Sequence, residues 1–313
     1  MKIYKPKFWD KEIGIISILF LPISFIYIFL SFLKKKLTKT NIFRIPTICV
    51  GNIYIGGTGK TPTSIFIANE FAKLGKKTAI IRKYYKDHDD EYCLIKNYFS
   101  NLIISKKRAV ALKEAEKHNY DLAILDDGFQ DHSFKKNVKI ICFNNNQLIG
   151  NGLVLPSGPL RENLNILKNT DLVIINGDTN RKFEKKILNI NPNLKIFYSF
   201  YLPVNIDQFK DNNLLAIAGI GNPENFFQLL EKSNLKVSKK LAFPDHYIFS
   251  RSELQSIIDE AEREKYQIIM TEKDYYKIEK YKLEKIKYLK VNFQIDNKEF
   301  FLNTLKELYV KNI

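Results

Sequence analysis

The sequence predicts an α/β protein with a parallel sheet core, a second, smaller α/β lobe and an N-terminal membrane-associated helix. Three features of the 313 residues support this prediction. Short apolar runs alternate with helical patterns, a polar and irregular stretch separates two such groups, and a long uncharged segment precedes both. We expect the membrane-associated segment at 1–40, the core domain at 41–180, a linker at 181–212 and the smaller lobe at 213–313.

The N-terminal segment is apolar enough to enter a bilayer. Residues 13–33 carry no charge, and about 20 such residues are needed to cross the hydrocarbon core. No small-residue cleavage site follows, so a removed signal peptide is disfavoured. Pro22 should kink or split the helix. Basic residues on both sides suit either a spanning helix or a bent helix lying in one leaflet against anionic lipids, and a buried core helix is the alternative.

The remaining elements follow in two groups. In the first group, strands are expected at 46–52, 77–83, 121–128, 138–144 and 171–177, with helices at 63–75 and 107–119. In the second group, strands at 214–221, 235–243 and 266–274 alternate with helices at 223–233 and 250–264. A last strand at 288–294 and a helix at 297–311 could return to either lobe. Strands that alternate with helices favour parallel pairing.

Charge and cysteine content narrow the class of partner. The formal net charge of +16 favours an anionic partner, which could be a nucleic acid, an anionic lipid or a phosphorylated substrate. No nucleic-acid-binding module is recognisable, so a nucleic-acid partner is not expected. Cys49, Cys93 and Cys142 form no CxxC pair, which predicts a reducing compartment and gives little support to a cysteine zinc site or a redox pair. The oligomeric state is not indicated.

A glycine-rich loop lies between the first strand and the first helix. The stretch 50–62 reads VGNIYIGGTGKTP, and its glycines allow backbone N–H groups to converge on phosphate oxygens. Lys60 is expected to contact the terminal phosphates of ATP, and the Thr61 hydroxyl to bind Mg²⁺. The core is therefore expected to be P-loop NTPase-like. The predicted cofactor-binding residues are Gly56, Gly57, Thr58, Gly59, Lys60 and Thr61.

Two other interpretations of this loop are open. Tyr54 occupies the position of the first glycine in G-x-x-x-x-G-K-[ST], so a structural glycine turn is one alternative. The P-loop of ParA/MinD-like ATPases places its glycines as here, but its signature lysine is replaced by Ile55. That replacement argues against the second class.

Two adjacent aspartates follow the apolar run at 122–125. Asp126 and Asp127 lie at the C-terminal end of a predicted strand, where a carboxylate can reach Mg²⁺ beside a P-loop. A helix cap is the alternative interpretation. Both are predicted metal ligands, and which one binds directly is left open.

Five motifs in order give the sequence a family resemblance. They are VGN-x3-GGTGKTP at 50–62, DDGFQ at 126–130, GNG-x3-P-x-GPLRE at 150–162, DH at 245–246 and MTEKD at 270–274. Together they closely resemble the tetraacyldisaccharide 4′-kinase (lipid A 4′-kinase) family of Gram-negative bacteria. The resemblance implies Mg²⁺- and ATP-dependent phosphorylation of the 4′-hydroxyl of tetraacyldisaccharide 1-phosphate, a lipid A precursor. It also implies a location on anionic lipids at the cytoplasmic face of the bacterial inner membrane.

The resemblance also implies roles for single residues. Asp90 matches the family's proposed base, and His246 matches the histidine that assists it. With Lys60, Arg161 matches a catalytic cation, and Glu162 beside it is assigned to the metal. Arg108 matches another basic family position and is assigned to substrate. Gln130 is assigned to substrate as well, although its position after Asp127 would let it bind either ligand.

The sequence departs from the family around the predicted base. Asp89 and Tyr92 replace the glycine and proline that flank it, and the preceding glycine-rich loop is replaced by the residues at 81–86. Without the resemblance, the acidic stretch 87–91 is interpreted as a solvated loop. The segment 271–274 is interpreted as a structural turn or lid contact, and the other three histidines as structural or exposed.

Two rival functions remain at this stage. One is a P-loop ATPase of the partitioning or assembly type, against which the missing lysine before Gly56 argues. The other is a basic membrane-binding protein with a vestigial nucleotide site, which the altered loop at 83–92 favours.

Overall fold

The computed structural model describes residues 5–86 and 88–312, so Asp87 of the acidic stretch lies outside the described residues. The chain divides into two compact units. The larger unit comprises 5–84, 99–200 and the C-terminal segment from 295. The smaller unit comprises 85–98 and 201–294. Each unit is described by itself below.

The helices and strands alternate along most of the chain. In chain order they are α1 (Ile15–Leu19), α2 (Leu21–Leu37), β1 (Thr47–Gly51), α3 (Lys60–Lys73), β2 (Thr78–Lys83), α4 (Asp89–Tyr98), β3 (Leu102–Ser105), α5 (Arg108–Lys117), β4 (Leu122–Asp126), β5 (Val138–Asn144), β6 (Leu172–Asn176), α6 (Arg181–Leu188), β7 (Lys195–Pro203), β8 (Leu214–Ala218), α7 (Pro223–Lys232), β9 (Val237–Ala242), α8 (Arg251–Arg263), β10 (Gln267–Thr271), α9 (Glu272–Ile278), β11 (Ile286–Leu289), β12 (Val291–Ile295) and α10 (Lys298–Lys311). Short 3₁₀ helices lie at Lys7–Asp10, Leu164–Asn169, Ile206–Gln208 and Glu279–Tyr281.

The larger sheet brings the ends of β1 and β4 to one edge. Within the described residues it has eight strands in the order β12-β7-β6-β5-β1-β4-β2-β3, and each neighbouring pair from β7 to β3 is parallel. Every residue of β1 and β4 is buried, as expected of strands covered by helices on both faces. Val50 pairs with Asp126, so the loop after β1 and the aspartates after β4 lie side by side. The predicted parallel α/β core is confirmed.

The smaller unit has its own parallel sheet. In the described residues its four strands have the order β11-β10-β8-β9. α8 covers one side of the sheet through Leu254 and Ile258, and α7 covers the other through Phe227 and Leu230. The buried apolar residues of these helices recur every three or four positions, which gives each helix one core-facing side.

The apolar N-terminal segment forms two helices. α1 ends at Leu19 and α2 begins at Leu21, with Pro22 in its first turn. Proline lacks an N–H but fits the first turn of a helix, so of the predicted kink or split the structure shows a split, which falls at Phe20 just before Pro22. Among residues 5–86 and 88–312, no helix combines the length and the apolar character needed to cross a membrane.

Several segments differ from the sequence-based expectations. The stretch 181–212, expected to be an irregular linker, contains α6 and β7, because Phe183 and Ile187 share one buried helix face and successive residues of β7 alternate between more and less buried. α10 lies within the expected bounds of the smaller lobe, although its lobe was left open, and it belongs to the larger unit, where Phe301 and Leu305 are fully buried. The strand expected at 266–274 ends at Thr271 because this residue caps α9.

Candidate functional site

The loop between β1 and α3 is shaped by its glycines. Gly56 has a φ of 119° and Gly59 a φ of 88°, conformations that other residues rarely adopt. The side-chain amide of Asn52 donates hydrogen bonds to the carbonyl oxygens of Tyr54 at 2.6 Å and Gly56 at 3.1 Å. α3 begins at Lys60 without a side-chain cap, so its first N–H groups can bind an anion. The loop therefore has the form of a phosphate-binding loop.

Asp126 lies beside the first turn of α3. Its carboxylate accepts hydrogen bonds from the hydroxyl of Thr61 at 3.1 Å and from that of Ser64 at 3.0 Å. The Arg82 guanidinium forms an ion pair with the same carboxylate, which is fully buried. A hydroxyl and a carboxylate side by side are oxygen ligands of the kind that Mg²⁺ prefers. Of the two adjacent aspartates, Asp126 is the one in contact with Thr61.

Asp127 faces the cations of the site instead. Its Oδ1 lies 3.7 Å from Lys60 Nζ and 3.3 Å from a guanidinium nitrogen of Arg161. Burial alone raises the pKa of Asp127, but the charges of Lys60 and Arg161 hold it well below its usual range. Burial lowers the pKa of Lys60, and the Asp127 carboxylate opposes that shift. Asp127 thus pairs with the cationic groups of Lys60 and Arg161. Phosphate groups could take its place as the anionic partner of these two side chains.

Arg108 lies behind the two aspartates and away from solvent. Its guanidinium donates hydrogen bonds to the backbone carbonyl oxygens of Asp126 at 3.1 Å and Asp127 at 2.7 Å. It also lies 3.6 Å from the carboxylate of Asp131, and only 4% of the residue is exposed. Asp127 has a φ of 52°, which costs a non-glycine residue energy. This geometry supports a role in holding the aspartate turn, which differs from the substrate contact expected from the sequence.

Replacing Arg108 by alanine should lower the free energy of unfolding by about 3 kcal/mol or more, because buried polar partners lose their donor. Chemical denaturation measures this change. Lys113→Ala on the exposed side of α5 is the matched control, and it should unfold like the unchanged protein. Wild-type stability of Arg108→Ala together with a raised KM for the acceptor substrate would instead support the substrate contact.

Gln130 and Glu162 lie together, near the end of β1. The side-chain amide of Gln130 donates a hydrogen bond to the carbonyl oxygen of Asn52 at 2.8 Å. Burial raises the pKa of Glu162, and a hydrogen bond with Gln130 opposes the shift. Among the described residues, Glu162 Oε1 is a buried oxygen without a hydrogen-bond partner. The assignment of Glu162 to a metal and of Gln130 to substrate stays a prediction.

The smaller unit brings Asp90 and His246 together. Asp90 lies in the first turn of α4 and is 4% exposed. His246 Nδ1 lies 3.2 Å from both of its carboxylate oxygens. His246 adopts a φ of 56°, and its backbone N–H donates to the Asp245 carboxylate at 3.0 Å. The sequence pair Asp245–His246 therefore presents its imidazole to Asp90, the partner that the family resemblance implied.

Two lysines of α9 complete this group. Lys273 and Lys277 each place Nζ 3.5 Å from Asp90 Oδ2. Burial alone raises the pKa of Asp90, but the hydrogen bond with His246 and the charges of both lysines hold it well below its usual range. Asp90 is therefore ionised at neutral pH. It is a carboxylate poised to accept a hydrogen bond from a hydroxyl group.

The sequence analysis did not predict several residues that surround Asp126 and Asp90. Lys273 and Lys277 are four residues apart, which places them on one face of a helix, but the segment was interpreted as a turn. Ser64 follows Thr61 by three residues in α3, so the same spacing could have indicated it. Arg82 lies near the end of β2, and only the sheet order places it beside Asp126.

Comparisons with known proteins give consistent results. A family model described as tetraacyldisaccharide-1-P 4′-kinase matches residues 16–309. A protein from Pelagibacter ubique (strain HTCC1062) named tetraacyldisaccharide 4′-kinase is 43% identical over 100% of both chains. A protein of the same name from Rickettsia canadensis is 34% identical over 88% of this chain and 89% of its own length.

A solved structure shares the fold. The crystal structure of LpxK from Aquifex aeolicus in complex with ATP superposes with a TM-score of 0.70. The alignment covers 94% of this chain and 100% of that chain at 22% sequence identity. This likeness shows that the two proteins share a fold.

The parallel sheet and the loop ending in Gly59-Lys60-Thr61 define a P-loop protein of the NTPase-like α/β class. Within this class, the chain belongs to the tetraacyldisaccharide-1-P 4′-kinase family. The resemblance that the five sequence motifs indicated is therefore confirmed.

Proposed function

We propose that this protein transfers the γ-phosphate of ATP to the 4′-hydroxyl of tetraacyldisaccharide 1-phosphate, a step of lipid A biosynthesis. The observation that carries this proposal is membership of a kinase family over residues 16–309, in a chain that retains the phosphate-binding loop and the Asp90–His246 pair. Family membership favours the kinase over both the partitioning-type ATPase and the vestigial nucleotide site.

ATP would be held by the loop before α3. Its backbone N–H groups and Lys60 face where the phosphates bind, and Thr58 Oγ1 is a buried hydroxyl with no hydrogen-bond partner in the described residues. Thr61 Oγ1 and the Asp126 carboxylate, 3.1 Å apart, form a donor set that fits Mg²⁺. The ion would neutralise charge on the β- and γ-phosphate oxygens. Arg161 is suited to do the same from the side of Asp127.

The acceptor hydroxyl would be activated by Asp90. In phosphoryl transfer the hydroxyl oxygen forms a bond to the γ-phosphorus, the bond to the bridging oxygen of ADP breaks, and the hydroxyl proton passes to a carboxylate. The transition state is loose, so the proton leaves late and a carboxylate of low basicity suffices. The hydrogen bond from His246 orients the Asp90 carboxylate and supports its charge before transfer.

The proposal is tested by product mass. Purified protein in detergent is incubated with Mg²⁺, ATP and tetraacyldisaccharide 1-phosphate, and the lipid is analysed by mass spectrometry with fragmentation. One added phosphate on the 4′ position is the expected result. ATP turnover without a phosphorylated lipid would support the ATPase instead, and the absence of both reactions would refute the kinase.

The N-terminal helices suit a position in the membrane interface. The buried sides of α1 and α2 carry serines. The hydroxyl of Ser24 donates a hydrogen bond to the carbonyl oxygen of Val154 at 2.9 Å, and Ser17 is fully buried. Large apolar side chains face outward, among them Phe25 at 67% and Phe29 at 59% exposure. Three exposed lysines end α2, where they can meet anionic headgroups. We propose that this face lies in the cytoplasmic leaflet of the bacterial inner membrane.

Replacing Phe29 by serine should weaken binding to vesicles of anionic phospholipid about tenfold, because burial of one phenylalanine contributes about 1.5–3 kcal/mol. Flotation of protein with vesicles measures the bound fraction. Phe300→Ser is the matched control, since Phe300 is 55% exposed but lies in α10. Equal flotation of both variants would show that Phe29 of α2 does not contact the membrane.

A further inference from the structure

Two histidines and a glutamate cluster beside Asp90 in the smaller unit. His88 precedes α4, Glu91 lies in its first turn, and His246 lies in the loop after β9. One potential ligand atom from each of the three side chains lies within 4.8 Å of the others. The phosphate-transfer reaction proposed above uses His246 but gives no role to His88 or Glu91.

The contacts within the cluster bring nitrogen and oxygen donors together. His88 Nδ1 lies 3.0 Å from Glu91 Oε2. The rings of His88 and His246 stack with their centroids 4.0 Å apart and an angle of 24° between their planes. The side chains of His88, Glu91 and His246 are 27%, 14% and 21% exposed. The cluster is thus ordered by its own contacts yet reachable from solvent.

The surrounding charge favours a cation at this position. Lys273 contacts the carboxylates of Asp90, Glu91 and Asp245, at 3.5, 3.3 and 3.1 Å. Lys277 contacts Asp90 at 3.5 Å and a further carboxylate in α9 at 2.7 Å. Four carboxylates thus share two ammonium groups, which leaves an excess of negative charge beside two imidazoles that are neutral when they bind a metal.

We propose that His88, Glu91 and His246 bind a divalent transition-metal ion, with Zn²⁺ the best fit. Two imidazoles and one carboxylate form a known type of zinc ligand set with one position left for water. Mg²⁺ prefers oxygen ligands, so this site should select against the ion that accompanies ATP. Ligand atoms around tetrahedral zinc lie about 3.3 Å apart, so binding draws the three side chains inward. The stacked rings must also rotate, because a bound metal lies in the plane of each imidazole.

Asp90 has the position of a supporting group for this metal site. A metal-bound histidine commonly donates its other ring N–H to a carboxylate, which fixes the ring and its tautomer. The contact of His246 Nδ1 with Asp90 at 3.2 Å provides this arrangement, and it leaves Nε2 for the metal.

Metal binding at this site inhibits phosphate transfer. A divalent metal on His246 occupies space beside the Asp90 carboxylate that accepts the hydroxyl proton, and its positive charge lowers the basicity of that carboxylate. This consequence rests on the proposed kinase function, whereas metal binding itself does not.

Metal binding is measured on the full-length protein in detergent after treatment with a chelator. Co²⁺ is added as a spectroscopic probe, and its visible absorption reports nitrogen and oxygen ligands in tetrahedral geometry. One equivalent of Zn²⁺ should abolish the spectrum, and millimolar Mg²⁺ should not. His88→Ala and Glu91→Gln should each weaken binding at least about tenfold. His118→Ala is the matched control, because this exposed histidine lies in the larger unit.

Inhibition is measured as the phosphate-transfer rate at buffered concentrations of free Zn²⁺, since ATP itself binds the ion. Each variant is compared with its own metal-free rate. The Zn²⁺ concentration for half inhibition should rise at least about tenfold in His88→Ala and Glu91→Gln and stay unchanged in His118→Ala.

Three outcomes overturn the proposal. Unchanged protein that retains no Zn²⁺ and gives no Co²⁺ spectrum has no site, whatever its activity. Equal binding by His88→Ala, Glu91→Gln and the control places the metal elsewhere. Full phosphate-transfer activity with Zn²⁺ bound would show that the metal does not inhibit the enzyme. A metal-free protein without kinase activity would refute the proposed function and would leave the binding measurement to decide on the site.

Discussion

Asp90→Asn should lower kcat about 10²–10⁴-fold, the range that general-base catalysis contributes. Asparagine keeps the size of the side chain but cannot accept a proton from the 4′-hydroxyl at neutral pH. It also removes the negative charge that His246, Lys273 and Lys277 surround. Initial rates of lipid phosphorylation at saturating ATP and acceptor measure the effect.

Asp89→Asn is the matched control for this variant. Asp89 precedes Asp90 in α4, but its side chain is exposed, so the same chemical change there should leave kcat within about twofold. Binding of ATP by Asp90→Asn should be retained, which separates loss of the base from loss of folding. A wild-type kcat in Asp90→Asn would show that another group accepts the proton.

Lys60→Ala should lower kcat about 10²–10³-fold, the loss typical of removing one charged group that stabilises the transition state. Lys60 begins α3, and its ammonium group lies 3.7 Å from Asp127. Phosphates bound at the loop would compete for that ammonium group. Single-turnover transfer from labelled ATP measures the chemical step without the contribution of product release.

The Lys60→Ala variant should fold, so a loss of activity would report on the phosphate-transfer step. Because Arg161 remains 3.3 Å from Asp127, the buried carboxylate keeps one cationic partner, and the variant should fold. Lys76→Ala, at an exposed position just after α3, provides the control and should transfer phosphate at the unchanged rate. If Lys60→Ala turned over normally, the loop would be a structural turn, the alternative that Tyr54 in place of glycine left open.

The family and most of the buried strands follow from local sequence alone. Apolar runs such as 138–144 are long enough for a strand, and β5 has these bounds. The loop at 52–59 needs glycine where φ is positive, so its position is visible from composition. The five motifs identified the family because their order and spacing together are specific, and the match over residues 16–309 agrees.

Short or amphipathic elements were harder to predict from the sequence. β3 has only four residues, LIIS, and α6 consists mostly of charged residues with two buried side chains. Such segments are stabilised by the elements against which they pack, and local propensity carries little information about them. The non-glycine stretch after β2 leads into α4, a helix whose first turn carries the predicted base.

Amino-acid sequence by itself determined that this chain has a parallel α/β core, a phosphate-binding loop and an apolar N-terminal segment split just before Pro22. Each depends on neighbours in the chain: strand periodicity, glycine conformations and the missing N–H of proline. Only the tertiary structure decided that Asp126 contacts Thr61 while Asp127 faces Lys60. It also places Arg108 behind both aspartates, where it donates hydrogen bonds to their backbone carbonyl oxygens. Two lysines of α9 lie beside Asp90. Those partners lie between 18 and 187 residues apart in the chain. The sheet order and the helix packing bring them together, and no local pattern specifies either.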